Sequence, residues 1–599
     1  MTNANSVTIQ DIKVDGDGRG NQLEPGSIDF HGIAFINAGG VVDDVTVAGI
    51  RMSLDVNGHV SGVQQGRAIY ANNVDGSART LTVSDNTVQD FQKNGIDLRG
   101  SNLIVTVSGN DITGNGATPT TAQNGIVILG PNGTVSGNTV SEVGYVVPED
   151  AINPDSSSGI LSYSSSGVTI TGNALNGPTE TVSQPNKLSA AGVSSYNDSN
   201  GATVTSNAIS GFTYGILSES DGAAPTHSSN SFSDNQFNLA TDGLTAASTI
   251  LGTEGVDWLE GSSGNDTITS AGGNDTIDGA MGTDTATYAA DATIAINGSG
   301  YWTVTEVGGT DTLTGVEKVT IGTTTYLLVD QRGANVGGFQ SVQAAIDAAS
   351  GGETILVAPG TYAETEEYVT GDFHGLYIDK PNLKIQGVLA NGCLITSATD
   401  AQTLGATIIA GAQNQFGANH WIDVNGTGTT ITGLHLQAGG ETSNKLLEIW
   451  ANDVSLRNNF IDVNIGGTTY SFAAAIYLNE TDVSATDVID TYTIDGNILN
   501  AGIVIANGVG IPGTISTSQL ITNNQFIGHF DNNTGDGRYD TIVINGKVHG
   551  IDWLLESTQT PTITGNSFGD NSTPFLLRGS DNEAANLPSA AQMADILAN

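Results

Sequence analysis

Aspartate recurs at every ninth position between residues 252 and 287. Four consecutive nonapeptides carry it at their sixth position; their sequences are GTEGVDWLE, GSSGNDTIT, SAGGNDTID and GAMGTDTAT, and the aspartates are Asp257, Asp266, Asp275 and Asp284. The fourth position is glycine in each: Gly255, Gly264, Gly273 and Gly282. Glycine permits a tight turn whose carbonyl oxygens can point inward, and aspartate adds a hard carboxylate oxygen, the ligand type that calcium prefers. The spacing therefore predicts Ca²⁺ sites built from these eight residues.

One apolar residue stands at the eighth position of each nonapeptide: Leu259, Ile268, Ile277 and Ala286. The pattern resembles the repeats-in-toxin (RTX) family, whose nonapeptides form a calcium-bound β-roll. The resemblance implies that each ion lies between turns two repeats apart, and that the array holds about two ions. The expected pairs are Asp257 with Asp275 and Asp266 with Asp284. Departures from the family pattern stand at Thr253, Ser262, Ser270, Ala271 and Ala286.

A flexible Asp/Gly-rich linker is the alternative interpretation of this segment. Composition alone rarely places four repeats in phase, so the β-roll is favoured. Without calcium, the close aspartates repel one another and a single apolar residue per strand cannot offset the entropy of ordering. We therefore expect the segment to be unfolded in the absence of the ion and to join its neighbours rigidly in its presence.

A longer repeat fills the rest of the chain. Short hydrophobic segments are interrupted by an asparagine, as in VSGNDI and VSGNTV. In the first half of the chain these asparagines are Asn86, Asn110, Asn138, Asn173, Asn207 and Asn235. Between them lie short apolar stretches that follow a glycine, as in NGIDL at Gly95. This pattern indicates two short strands per unit. A unit of this size cannot bury its own apolar face, so the units must stack as a parallel β-helix. The asparagines are expected to hydrogen-bond from coil to coil as a ladder.

The second half repeats the scheme after a helix. In FQSVQAAIDAASGGETILVAPG, Ser341 can act as the N-cap, and one helical face carries Val342, Ala345, Ile346 and Ala349. The stretch resembles the entry of pectin-lyase-like right-handed β-helix proteins, in a resemblance that covers residues 330–580 and less closely 30–240. Asparagine coils follow at Asn459, Asn497, Asn524 and Asn566. The helix is expected to cover the open end of the second stack.

The predicted fold is all-β, with two right-handed parallel β-helices linked by a short calcium-binding β-roll and a small β-meander. The expected boundaries are 1–245 for the first β-helix, 246–290 for the roll, 291–328 for the meander, and 329–599 for the second β-helix with its capping helix near 341–350. The start shows no capping helix, and the last residues stop within a helix-like pattern. We therefore expect a fragment of a longer protein.

Composition excludes several functional classes. The 62 acidic and 17 basic residues give a net charge of −45, which excludes a nucleic-acid partner. No apolar run reaches the roughly 18 residues that a membrane span needs. The start has no basic, apolar leader, so export to the cell surface or the extracellular space would use an uncleaved signal that is not visible here. The single cysteine, Cys393, excludes an internal disulfide and is expected to be a small buried hydrophobe.

Candidate catalytic residues are sparse. Right-handed β-helices of the pectin-lyase-like superfamily often act on acidic polysaccharides, with a base for the C5 proton and a cation for the uronate. The alginate C5-epimerases resemble this chain in combining a β-helix with RTX repeats, but their tyrosine-glycine-x-aspartate-proline-histidine signature is absent, as are the pectate-lyase and polygalacturonase signatures. Asp97 and Arg99 share a strand face, and the histidines of the two DFHG strings, His31 and His374, are expected to be structural.

The best catalytic cluster lies in GDGRYDTIVINGKVHGIDW. Lys547 and His549 would share a strand face there, close in sequence to Arg538 and Tyr539. Lys547 or Arg538 could neutralise a sugar carboxylate, and His549 or Tyr539 could act as the base. A solvated strand face is the simpler interpretation of the same residues.

The leading hypothesis is a secreted or cell-surface calcium-binding β-solenoid protein with a structural or adhesive role, as part of an adhesin, a surface layer or an extracellular filament. Its expected cofactor is Ca²⁺, and its expected partners are an extracellular polysaccharide or copies of itself. The alternative is a calcium-dependent polysaccharide lyase, C5-epimerase or glycoside hydrolase. A module that only docks glycans is a third hypothesis. The lack of an assembled catalytic set favours a protein that is not an enzyme.

Overall fold

The computed structural model describes most of the chain. The described residues are 1–20, 29–56, 58–147, 157–165, 167–179, 189–196, 201–219, 225–242, 249–332, 337–364, 366–369, 372–410, 421–439, 445–463, 474–479, 491–500, 503–506, 515–527, 548–554, 560–568 and 572–578. They are nearly all β-strand, with two short helices. They form two compact units, residues 1–288 with 306–312 and residues 289–305 with 313–599.

The first unit is built from parallel sheets. Sheet 1 has the strands Val7–Gln10, Gly40–Asp43, Arg79–Ser84, Leu103–Ser108, Asn132–Ser136, Val168–Thr171, Thr203–Thr205 and Thr226–Ser228. Sheet 2 has Lys13–Asp15, Thr46–Ile50, Thr87–Phe91, Asp111–Thr118, Thr139–Tyr145, Ala174–Asn176, Ala208–Ser210 and Ser231–Ser233. Sheet 3 has His31–Ile36, Arg67–Asn72, Asn94–Arg99, Asn124–Leu129, Ser157–Tyr163, Ala190–Tyr196, Tyr214–Glu219 and Phe237–Asp242. Each coil contributes one strand to each sheet, which is the architecture of a parallel β-helix.

Each coil therefore has three strands, and the prediction of two strands per unit was wrong. The reason is a bend that the sequence pattern hides. Asp85 has a φ of 54°, in the left-handed region, and it separates the strand Arg79–Ser84 from the strand Thr87–Phe91 within one hydrophobic stretch. A left-handed residue also precedes each later asparagine of the ladder, so the bend recurs in every coil.

The core of the first unit is a stack of aliphatic columns. Ile69, Ile96, Ile126 and Ile160 are in register on successive strands of sheet 3, and none of them is exposed to solvent. Burial of one such side chain contributes about 1.5–3 kcal/mol. Because each coil adds a few apolar residues of the same kind, the stability of the unit is a sum of contributions from successive coils and not the product of one large core.

The predicted asparagine ladder is present. The Nδ2 of Asn86 donates to the Oδ1 of Asn110 at 2.8 Å, and the same bond links the later members at 2.8–3.0 Å; these are Asn138, Asn173, Asn207 and Asn230. Asn235 was expected as the last member, and this expectation was wrong. Asn235 instead accepts a bond from the amide of Phe212 at 3.0 Å. Both Ser229 and Asp234 are left-handed, so two bends are available, and the pairing of Thr203–Thr205 with Thr226–Ser228 places Asn230 next to Asn207.

The second unit is also a parallel β-helix. Sheet 4 has the strands Lys318–Ile321, Thr324–Val329, Thr354–Val357, Lys384–Gly387, Thr430–Thr432, Val454–Arg457, Tyr492–Asp495, Ile515–Thr522 and Thr560–Thr564. Sheet 5 has Thr361–Glu364, Thr407–Ala410, His435–Ala438, Phe460–Asp462, Ile498–Leu499, Gln525–Phe526 and Ser567–Phe568. Sheet 6 has Leu376–Ile378, Ile422–Val424, Lys445–Ile449, Ala474–Asn479, Ile503–Ala506, Val548–Leu554 and Ser572–Arg578. Its asparagine ladder is the predicted one, with Asn459, Asn497, Asn524 and Asn566 linked at 3.0–3.2 Å.

Antiparallel pairs add to the second unit. Thr293–Ile296 pairs with Trp302–Glu306, and Lys318–Ile321 pairs with Thr324–Val329, in the part of the sequence where alternating strands were predicted. Glu366–Val369 pairs with Asp372–His374. The β-strands predicted between residues 291 and 328 are therefore observed.

The prediction for Cys393 was wrong. It was expected to be buried, and it is exposed.

The predicted helix runs from Val342 to Ala348. Ser341 caps it by accepting the amide of Ala344 at 3.0 Å, and the buried face carries Val342, Ala345 and Ile346. These residues pack in the core of the second β-helix. A second helix, Ala398–Leu404, begins at Ser397 in the same manner and was not predicted. No helix among the described residues is long and apolar enough to cross a membrane.

Candidate calcium site

The four nonapeptides form the last coils of the first unit. Their strands are Trp258–Glu260, Thr267–Thr269, Thr276–Asp278 and Thr285–Tyr288. Strands alternate between two sheets, so that the first pairs in parallel with the third and the second with the fourth. One coil of this roll is therefore eighteen residues long. The register brings together aspartates two repeats apart, which is the pairing that the sequence predicted.

The roll continues the β-helix directly. Ala240 of sheet 3 pairs with Trp258, and the strand Thr249–Leu251 begins the second sheet of the roll by pairing with Thr267–Thr269. The apolar side chains at the eighth positions are fully buried; they are Leu259, Ile268, Ile277 and Ala286. A three-residue strand with one buried side chain is a thin core, so packing alone provides little stability to these coils.

The aspartates form two hydrogen-bonded columns. The amide of Asp257 donates to the Oδ1 of Asp275 at 2.8 Å, and the amide of Asp266 donates to the Oδ1 of Asp284 at 2.7 Å. The first column starts at the β-helix, where the amide of Leu239 donates to the Oδ1 of Asp257 at 2.7 Å. The carboxylates thus form two columns that run from coil to coil, and all four aspartates are at most 2% exposed.

The second position of each nonapeptide separates the four turns into two kinds. In the first two repeats, Thr253 and Ser262 donate both a backbone amide, at 2.6 and 2.7 Å, and a hydroxyl to the carboxylate of their own repeat. In the third repeat this position is Ala271, which has no hydroxyl and a left-handed φ of 69°. The Oδ2 of Asp275 is consequently buried without a hydrogen-bond donor. A buried carboxylate oxygen without a partner is costly unless a cation meets it.

The fourth-position glycines are required by close backbone approach. A Cβ on Gly273 would lie 2.4 Å from the carbonyl oxygen of Gly255, and a Cβ on Gly282 would lie 2.4 Å from that of Gly264. Any other residue would push the turns apart. Glycine therefore keeps the turn backbones, with their carbonyl oxygens, close to the aspartate columns.

Burial dominates the electrostatics of these carboxyl groups. It raises the pKa of Asp257 to about 7, that of Asp275 to about 8, and that of Asp284 to about 6. Neighbouring carboxylates raise each of them further. In the part of the chain that the structure describes, no three His, Cys, Asp or Glu side chains cluster as a metal shell. The aspartate carboxylates, together with nearby backbone carbonyls, would provide an all-oxygen donor set, which suits calcium and not zinc.

Comparison with known families agrees with this geometry. Residues 251–286 match the RTX calcium-binding nonapeptide repeat in four copies. The segment is an RTX repeat array. Residues 67–249 match the right-handed beta helix region, which gives the hand of the first solenoid. No curated protein and no solved structure matches the chain. The predicted combination of a right-handed β-helix with RTX calcium-binding repeats is therefore confirmed, and the protein is a β-solenoid that carries calcium-binding repeats.

A second polar cluster lies on sheet 3 of the β-helix, ahead of the RTX array. Arg99 binds both carboxylate oxygens of the buried Asp97, at 2.7 and 2.9 Å, and Arg67 binds Asp97 at 2.8 Å. The ring of Tyr70 stacks on that of His31, with centroids 4.3 Å apart, and the guanidinium of Arg67 lies 5.3 Å from the Tyr70 centroid. The sequence indicated only that Asp97 and Arg99 share a face. That His31 and Tyr70 lie beside them is visible only in the structure, because these residues come from three successive coils whose register the sequence does not show.

His31 has an unusual environment in this cluster. Its Nδ1 is buried and has no hydrogen-bond partner. Burial lowers the pKa of His31, and the positive charge of Arg67 lowers it further. Burial also raises the pKa of Tyr70. A neutral imidazole has a ring nitrogen that can accept a proton. In His31 burial and the two arginines favour this neutral form.

The cluster predicted from sequence near the C-terminus lies largely outside the described residues. Arg538, Tyr539 and Lys547 lie outside the described residues. His549 lies on the strand Val548–Leu554, where its backbone pairs with Thr573 in sheet 6. The catalytic role of these four residues stays a prediction.

Proposed function

We propose that the protein is a secreted or cell-surface solenoid whose RTX coils are held rigid by calcium and whose role is structural or adhesive. The observation that carries the proposal is the pair of buried aspartate columns in register with the strands of the β-helix. RTX repeats are typical of secreted bacterial proteins. Extracellular modules bind calcium with dissociation constants of about 10⁻⁴–10⁻³ M, which suits a site that fills only after export.

The proposed ligands are the residues that the sequence singled out. The carboxylates come from Asp257, Asp266, Asp275 and Asp284, and the turns of Gly255, Gly264, Gly273 and Gly282 bring backbone carbonyl oxygens close to them. A bound divalent cation supplies positive charge between carboxylates that otherwise repel one another. The glycine turns hold the backbone near the carboxylates.

A structural role is supported by the repetitive architecture and the charge. Both units stack coils along an axis, and a net charge of −45 favours partners that are bridged by divalent cations or that carry positive groups. The proposed partners are an extracellular polysaccharide or further copies of the chain. Strands that recur from coil to coil suit a partner that is itself repetitive.

Assembly in calcium tests this role. We expect the protein to form fibres or sheets in negative-stain images when calcium is present and to be dispersed when a chelator replaces it. Asp266→Asn removes one carboxylate from the second column and should raise the calcium concentration needed for assembly, since a ligand charge is lost. Asp291→Asn, which removes the same charge at an exposed residue, should leave that concentration unchanged. Assembly that ignores calcium contradicts the proposal.

An enzyme that acts on an acidic polysaccharide is the second candidate, and the His31 cluster favours it. In this proposal His31 takes the proton at C5 of a uronate, and Arg67 or Arg99 neutralises the carboxylate of the sugar. Both arginines are already paired with Asp97, so a substrate would have to compete for them. This competition makes the structural role the better supported of the two.

Enzymatic activity would depend on His31. With uronate polysaccharides and calcium, we expect His31→Ala to lower the appearance of unsaturated ends, followed by ultraviolet absorbance, by about 10²-fold or more, as for removal of a general base. His59→Ala is the matched control, because His59 lies in the same unit and its ring pairs with Asp55, at 3.4 Å, away from the His31 cluster. If no polysaccharide yields product with the unaltered protein, the enzymatic candidate fails.

A further inference from the structure

Residues 306–314, EVGGTDTLT, repeat the nonapeptide pattern beyond the four matched copies. Glycine stands at the fourth position as Gly309, aspartate at the sixth as Asp311, and an apolar residue at the eighth as Leu313, which is fully buried. Asp311 follows Asp275 by 36 residues, the length of four nonapeptides. The chain between the two segments, 289–305, belongs to the second unit, whereas 306–312 belongs to the first.

Asp311 extends the first aspartate column. The amide of Asp275 donates to the Oδ1 of Asp311 at 2.9 Å, just as the amide of Asp257 donates to the Oδ1 of Asp275 at 2.8 Å. The amide of Thr312 donates to the carbonyl of Asp275 at 2.9 Å. The equivalent bond inside the matched repeats runs from Thr276 to Asp257 at 3.0 Å. The backbone of 306–312 thus takes the place of a next turn.

The side chain at the fifth position confirms the register. The amide of Thr310 donates to the Oδ1 of Asn274 at 2.9 Å, and the amide of Thr283 donates to the Oδ1 of Asn265 at 3.0 Å. The glycine contact also recurs, because a Cβ on Gly309 would lie 1.4 Å from the carbonyl oxygen of Gly273. Residues 306–312 therefore reproduce the turn geometry of the array in four independent contacts.

Asp275 and Asp311 each have one carboxylate oxygen that accepts no hydrogen bond from the described residues. The Oδ2 atoms of Asp275 and Asp311 are buried and accept no hydrogen bond, and the two residues are 2% and 0% exposed. Burial raises the pKa of Asp311, and the hydroxyls of Ser270 and Tyr288 both lie close enough to its carboxyl group to lower that pKa in part. The Tyr288 hydroxyl nevertheless makes no hydrogen bond of normal geometry, and the Oδ2 of Asp311 accepts none. Glu306, which accepts the hydroxyl of Ser270 at 3.0 Å, adds negative charge nearby. A cation beside these two buried oxygens would offset the cost of burying them without a hydrogen-bond donor.

We propose that residues 306–312 are a detached fifth turn of the roll and that Asp275 and Asp311 hold a third divalent cation, calcium, in addition to the two expected from the four repeats. The inference rests on the proposed calcium binding of those repeats. The detached turn closes the array with a segment that is distant in sequence. Filling of this site therefore fixes the position of 306–312 against the third repeat.

The number of ions bound per chain tests the inference. Isothermal titration with calcium, checked by metal analysis after gel filtration, should give three ions for the unaltered protein. Asp311→Asn should lose one ion, and Asp266→Asn should lose the ion of the other column and keep two. The control Asp291→Asn removes the same charge at an exposed position and should keep three.

The outcomes separate this inference from the proposed function. Two ions for the unaltered protein, or an equal number for the unaltered protein and Asp311→Asn, overturns the third site and leaves the proposed function standing. No calcium bound by the unaltered protein overturns both. Should Asp311→Asn fail to fold, as judged by circular dichroism in calcium, the count for the unaltered protein decides: three supports the site, and two overturns it.

Discussion

Chelation of calcium should expose residues 249–288 to proteolysis and raise the rate of cleavage there by about 10³-fold or more. An ion present at about 100 times its dissociation constant stabilises the folded state by about 2.7 kcal/mol. Two such ions together contribute about 5 kcal/mol, which corresponds to nearly four powers of ten in the equilibrium between folded and open forms. Cleavage follows the population of the open form when opening is fast.

The physical reason lies in what the roll has without the ion. Each of its strands is three or four residues long and buries one side chain from the eighth position, which is only alanine in the last repeat, at Ala286. The columns meanwhile place buried carboxyl groups beside one another. A proton can neutralise such a group, and burial favours that, but it cannot bridge two of them as a divalent ion does.

Limited proteolysis followed by mass spectrometry measures this effect. Sites within 249–288 should be cut rapidly in chelator and slowly in calcium. Sites within residues 67–147, where the β-helix has its full core, provide an internal control and should be cut at the same rate in both. Magnesium at equal concentration should protect poorly, because it demands octahedral geometry and keeps its waters. Equal protection of 249–288 with and without calcium would falsify the proposed role of the ion.

Asn138→Ala should lower the free energy of unfolding of the first β-helix by about 3–5 kcal/mol. The side chain is 1% exposed and accepts two bonds from Asn110, at 3.0 and 2.8 Å. It donates to the carbonyl of Val107, at 3.0 Å, and to the Oδ1 of Asn173, at 2.9 Å. Truncation leaves several buried groups without partners, each at a cost of about 1–3 kcal/mol.

Urea unfolding followed by circular dichroism measures the loss. Asn102→Ala is the control: Asn102 is exposed and makes one side-chain bond, to the carbonyl of Gly76, so its removal should change stability by less than about 1 kcal/mol. Because neighbouring coils stabilise one another, the transition of Asn138→Ala should also broaden as the stack divides at the altered coil. If the two variants unfold alike, the ladder is not a main source of stability.

Local chemistry made much of this fold readable from sequence. A nonapeptide with glycine, aspartate and one apolar residue at fixed positions satisfies its own turn, so its period survives in the sequence and its partners are two repeats away. The asparagine ladder behaves similarly, since a left-handed residue followed by asparagine marks each bend. The helix capped by Ser341 was also predictable, because its cap and its apolar face lie within nine residues.

The errors came where partners are set by stacking. The third strand of each coil was missed because a bend divides one hydrophobic stretch into two strands. Asn230, and not Asn235, belongs to the ladder because the register of the last coil decides which side-chain amide meets Asn207. Cys393 stands among apolar residues and is nevertheless exposed, because a hydrophobic neighbourhood in sequence does not fix the direction of a side chain in a turn.

The sequence by itself determined the period, the glycine and aspartate turns, and the class of ion, because each depends on residues within one or two repeats. Only the tertiary structure showed that His31 meets Tyr70 one coil away and that Asp311 joins the column of Asp275 across 36 residues. Coils of a solenoid differ in loop length, so sequence distance does not fix which residues become neighbours along the stack. That adjacency is set by the parallel hydrogen bonds between coils, which no local pattern encodes.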